Sequence, residues 1–158
     1  MKDSTTRSTS EMSRAKVVAA SSLAILIALY VVGAVSVPPG SLRHEVQTLP
    51  LWFPIVAGFQ NKELAKWAAL PSLIFWLVIM IFIWLFLLGF PSPVRGRFFP
   101  TEVAMTIVVG IASLTGLIAS LRWPTRVGLA VAISTFFLFG LLQLLAMRIS
   151  LLPYIAGR

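Results

Sequence analysis

Four stretches of this chain run for about 20 residues each without a single Asp, Glu, Lys, Arg or His: residues 17–37, 67–90, 103–121 and 127–147. At a rise of 1.5 Å per residue, a helix of about 20 apolar residues crosses roughly 30 Å of hydrocarbon. The runs are continuously apolar, without the alternation of a lipid-facing barrel strand, so helices are the only spanning structure open to them. The fold class expected is an all-α integral membrane protein, a four-transmembrane-helix bundle in one domain covering residues 1–158.

Composition agrees. The chain is 58% hydrophobic and 11% charged, whereas soluble domains hold about 45–50% apolar and about 25% charged residues. It contains no cysteine, which excludes a disulfide-stapled module and any thiolate site. Thirteen Lys and Arg against five Asp and Glu give a formal charge of +8. These basic residues fall in ones and twos beside the apolar runs, the placement that meets anionic headgroups. No stripe or recognition motif marks a nucleic-acid partner.

Nine of the ten prolines lie outside the runs; Pro71 is the exception. It suits either a short interfacial helix, 62–70, that bends into the span or one long kinked helix. Thr101, followed by Glu102, fits the N-cap of the third span, and Thr125 fits that of the fourth. Only residues 122–126 separate the last two spans, which reads as a tight antiparallel hairpin. The first run, 21 residues, exceeds the apolar core of a signal peptide, so it is read as a transmembrane helix. Residues 1–16 form a polar tail with no apolar face. Four spans place both termini on one side, with eight basic residues against five. By the positive-inside rule that side is the cytoplasm, and the setting is a bacterial inner membrane.

The absence of ionisable residues within the runs speaks against proton relays and intramembrane hydrolysis, which need such groups at depth. His44 is the only histidine; beside Arg43 and Glu45 it could act as a base, but a solvated position at headgroup level suits it better. One histidine and no cysteine cannot furnish a standard zinc set. No catalytic residue, cofactor or metal is assigned.

The segment 38–66 is read as a long loop whose apolar part, 49–59, is interfacial or re-entrant, since two prolines four apart argue against a regular helix. Its Trp52, Phe53 and Phe59, with Trp76 and Trp84 of the bulky second span, are candidate contacts for lipid or a partner. That span is expected to turn much of its surface outward. Small residues recur every fourth position at Ala20, Ala24 and Ala28, and again at Ala112, Gly116 and Ser120. Such rows let helices approach closely. Gln143, the most polar side chain within a run, reads as an interhelical hydrogen-bonding group, to a carbonyl or a hydroxyl such as Ser21 or Ser22.

The function expected is a non-catalytic accessory or structural subunit of a larger membrane protein complex, with membrane lipids and other integral membrane subunits as partners. The alternative is a small carrier or flippase-like protein for a lipid-linked or apolar substrate.

Overall fold

The structure is a computed structural model that describes residues 2–36, 42–94, 96 and 98–156. Its elements are all helical: α1 (Lys2–Ser36), α2 (Arg43–Phe59), α3 (Leu64–Leu87), α4 (Pro100–Arg122), α5 (Leu129–Ser150) and the single turn α6 (Pro153–Ala156). Four of them are long and apolar enough to cross a membrane: α1 over Met12–Val35, then α3, α4 and α5. The polar start of the chain continues the same helix as the first span, with α1 beginning at Lys2.

The segment expected to be an irregular loop holds α2. At about 1.5 Å per residue its 17 residues reach about 25 Å, shorter than the 22 and 24 residues of its neighbours α5 and α3. Pro50 and Pro54 lie inside this helix, both buried. Neighbouring helices in such a bundle accommodate the backbone groups that proline leaves free. Burial follows the helical period. Gln47, Pro50, Leu51, Pro54, Ile55 and Gly58 point inward, while Leu49, Trp52, Phe53, Val56 and Phe59 point outward. The prolines, Leu51, Ile55 and Gly58 therefore lie on the packed face, and the aromatics on the outer one.

The ends of α2 fix its direction. A Cβ added at Gly33, late in α1, would lie 3.2 Å from His44, whereas one at Gly58 would lie 2.9 Å from Ala19. Thus α2 returns antiparallel to α1 along its length. It closes in a Schellman arrangement in which Asn61, at φ 58°, takes the left-handed position. The Lys62 N–H there reaches the Ala57 carbonyl at 2.8 Å, and the Asn61 N–H the Gly58 carbonyl at 3.0 Å. Five long helices alternate in direction, so α1 begins and α5 ends at opposite ends of the bundle. The same-side expectation counted four passes and left α2 out of the alternation.

Helix α3 packs against all four other long helices, and α4, α1, α2 and α5 succeed one another around it. The expectation that much of this bulky helix turns outward fails in its first half, and in its second half Val78, Ile81 and Leu87 are exposed while Trp76 and Met80 are buried. Its first half is built of Ala65, Ala68, Ala69, Ser72 and Leu73, all fully buried. Pro71 sits in one uninterrupted helix with no separate 62–70 element. At Gly116 of α4, an added Cβ would fall 2.8 Å from Ser21 Cβ of α1 and 3.0 Å from Leu73 of α3. Glycine is what lets three helices meet there.

The last two spans do not form a tight hairpin: α4 and α5 lie on either side of α3. Residues 123–128 cross between them in extended backbone, with Trp123 and Gly128 at ψ 109° and 145°. The caps differ from expectation too. Helix α4 starts at Pro100, one residue before Thr101, and its opening N–H, that of Phe99, donates to Glu102 Oε2 at 2.7 Å. Gly128, not Thr125, precedes α5.

Candidate functional site

Polar groups gather at the two ends of the bundle. At the end where α1 begins, the 123–128 link is tied to the start of α3. Lys66 Nζ donates to the Trp123 carbonyl at 2.7 Å and stands 4.8 Å from the Trp67 ring centroid. Trp67 Nε1 donates to Thr125 Oγ1 at 3.3 Å, and the Arg126 N–H donates to Glu63. Arg14 donates to the Arg122 carbonyl, covering an orphan acceptor at the C-terminus of α4. The hydrogen bonds among these contacts join separate elements, so this end reads as a structural clasp.

The opposite end is different, because it encloses space. A cavity of about 250 Å³ lies among α1, α2, α3, α4 and α5. Its walls are apolar where Leu29, Trp76, Ile79, Ile83 and Val109 meet it, and Arg43, His44, Gln47, Glu102 and Thr106 add polar surface. Met80, Met105 and Met147 complete the lining from three different helices.

One hydrogen-bond chain organises the polar side. Ser150 Oγ donates to the Met147 carbonyl at 2.7 Å, so it accepts from Gln47 Nε2 at 2.9 Å. That amide also faces Met147 Sδ at 3.4 Å. The arrangement fixes the orientation of the Gln47 amide and turns its Oε1 to His44 Nδ1 at 3.1 Å. An amide oxygen can only accept, so His44 carries its proton on Nδ1 and leaves Nε2 as the free lone pair. The partner of His44 is Gln47; the pairing with Glu45 that would orient a general base does not form.

The residues singled out from the sequence separate into two groups. Trp52, Phe53 and Phe59 stand on the outer face of α2, about half exposed, and Phe53 meets Phe139 of α5 at 5.1 Å between ring centroids. Trp84 is half-buried. Trp76 belongs instead to the core at 4% exposure; its indole N–H has no hydrogen-bond partner. It is a cavity wall and not an outward contact. Ala112, Gly116 and Ser120 face inward along α4. Gln143 does bond across helices, but to α3 and α2: Ser72 Oγ donates to its Oε1 at 2.9 Å, and its Nε2 donates to the Gln47 carbonyl at 3.3 Å. Ser21 and Ser22 are not its partners.

The sequence reading missed the cavity itself. Its methionines are 25 and 42 positions apart in the chain, so no spacing rule joins them. The helical period within 43–58 was the one legible signal that His44 and Gln47 sit on an inward face.

Known protein families, characterised proteins and solved structures offer no match to this chain.

Proposed function

We propose that this chain is a non-catalytic accessory subunit, packing within a larger membrane protein complex of a bacterial inner membrane. The observation that carries the reading is a shallow groove between α1 and α4, lined by Ala20, Ala24, Val108, Ile111, Ala112 and Thr115. Ala20 is exposed and Ala24 half-buried, so part of the small-residue row is not used inside the bundle. A surface of this kind admits the backbone of another transmembrane helix at short range, which is how helices associate without a hydrophobic driving force. Helix α5 adds to it, with Ala132, Gln143, Ala146 and Ser150 its only buried positions among the described residues.

The basic residues suggest the orientation. Lys2, Arg7, Arg14, Lys16, Lys62, Lys66, Arg122 and Arg126 belong to the end where α1 begins, and among the described residues Arg43 and Arg148 to the other. The positive-inside rule then puts the start of α1 in the cytoplasm and the end of α5 across the membrane.

The test is purification in a gentle detergent, followed by mass spectrometry of the intact particle. Stoichiometric integral membrane companions are expected, and Ala24→Leu, which fills the groove, should release them. A lone chain carrying only lipid would overturn the reading. The second reading, a small carrier for a lipid-linked or apolar molecule, is favoured by the cavity at the His44 end. It would then be tested by reconstitution into liposomes.

A further inference from the structure

We propose that the cavity at the His44 end is a binding site for a soft monovalent metal ion, Cu(I) in chemical class, with Met80, Met105, Met147 and His44 as its ligands. Only five methionines and one histidine occur in the chain. Three of those methionines and the histidine line this one cavity, each from a different helix. Thioether sulfur is a neutral, polarisable donor that binds Cu(I) and discriminates against hard and borderline divalent ions, while a neutral imidazole serves copper as well.

The surroundings of the two nearest groups match what a ligand set needs. His44 donates Nδ1–H to Gln47 Oε1, the outer hydrogen bond that sets the tautomer of a ligating histidine and leaves Nε2 for the metal. The same Gln47 side chain reaches Met147 Sδ, which ties two of the ligands to one amide. Ser150 holds that amide in turn. Methionine has three rotatable side-chain bonds, so the sulfurs of Met80 and Met105 can turn toward a common ion in a space of about 250 Å³. Arg43 and Glu102, also in the lining, carry opposite charges, which leaves the site near neutral for a single positive ion. The role is independent of the subunit reading, because it concerns the interior and not the α1/α4 groove.

The experiment uses the full chain in detergent under anaerobic, reducing conditions, titrated with Cu(I) against a chromophoric chelator and, separately, with Ag(I). One equivalent is expected to bind, with sulfur and nitrogen scatterers in the X-ray absorption spectrum and at least a hundredfold preference over Zn(II). A variant with Met80→Leu, Met105→Leu and Met147→Leu keeps the side-chain volumes and should lose at least tenfold in affinity. Methyl NMR of the wild-type chain supplies a readout that needs no variant. Ag(I) should shift the signals of Met80, Met105 and Met147 and leave that of the exposed Met12 in place. Absence of stoichiometric binding, equal affinity for Zn(II), unchanged affinity in the folded triple variant, or unmoved cavity methyl signals would each overturn the proposal.

Discussion

Ser72 and Gln143 meet across α3 and α5, the serine hydroxyl donating to the amide oxygen at 2.9 Å with both side chains buried. The same amide donates onward to the Gln47 carbonyl of α2 at 3.3 Å. Besides this pair, α5 is tied to α2 by Gln47 at Ser150 and Met147 and by Phe53 at Phe139; most of its apolar surface faces outward, and apolar contact adds little preference for protein over lipid. The weight of this pair is therefore larger than its strength alone implies.

Gln143→Leu should cost about 1 kcal/mol. Interhelical hydrogen bonds average about 0.6 kcal/mol each, and this substitution removes two while leaving the Ser72 hydroxyl without its acceptor. Reversible unfolding in mixed micelles would measure it. Ser72→Ala should cost less, and the double variant should fall short of the sum. Full additivity would mean the two side chains are not coupled.

Gly116 and Gly110 lie on one helix yet should respond with opposite sign. A Cβ at Gly116 would sit 2.8 Å from Ser21 Cβ and 3.0 Å from Leu73, whereas at Gly110 its nearest neighbour is Met80 Cβ at 4.0 Å. Overpacking costs about 1–3 kcal/mol, so Gly116→Val should lower the thermal midpoint clearly. Gly110→Ala should be neutral or stabilising, because glycine within a helix costs up to about 1 kcal/mol against alanine. Thermal unfolding of the two variants side by side decides it.

Hydropathy made the four long spans legible, because a chain of uncharged residues 20 long has one stable way to cross lipid. It could not reveal α2. Both faces of 49–59 are apolar, so amphipathic contrast is lost, and Pro50 and Pro54 carry a strong penalty wherever a helix is exposed to water. Inside the bundle both prolines are buried within one continuous helix. The polar residues Gln47 and Thr48, which looked like loop, are the buried first turns of the same helix. Missing α2 also hid the site, since His44 and Gln47 reach the cavity only once this helix stands among the others. The core position of Trp76 stayed hidden for a related reason: bulk along α3 says nothing about which face of that helix turns to the centre, and Trp76 and Met80, four residues apart, share the inward one.

Lys66 should prove structural. Its ammonium donates to the Trp123 carbonyl at 2.7 Å in a nearly buried position, and hydrogen bonds to charged groups contribute about 1.5–3 kcal/mol. Lys66→Met keeps the stem and removes the donor. Amide exchange in residues 123–128 should then quicken while the centre of α4 stays protected. Equal protection in both forms would show that the Trp67–Thr125 and Arg126–Glu63 bonds hold the link without it.

The direction of α2 makes the sharpest prediction about the whole molecule. Four passes would leave Ser13 and Tyr154 on one side of a membrane, and a fifth leaves them on opposite sides. In the structure Gly33 faces His44 and Gly58 faces Ala19, so α2 runs antiparallel to α1, as a fifth pass would. The chain has no cysteine, so Ser13→Cys and Tyr154→Cys each give a single thiol on a silent background, both at exposed positions. In sealed, oriented vesicles a membrane-impermeant maleimide should label one variant before lysis and the other only after it. The thiol at 13 should be the protected one in right-side-out vesicles, given the larger number of basic residues at its end. Labelling of both thiols from the same side would mean that α2 lies along the membrane surface. The cavity at the His44 end would then lose the wall that α2 provides.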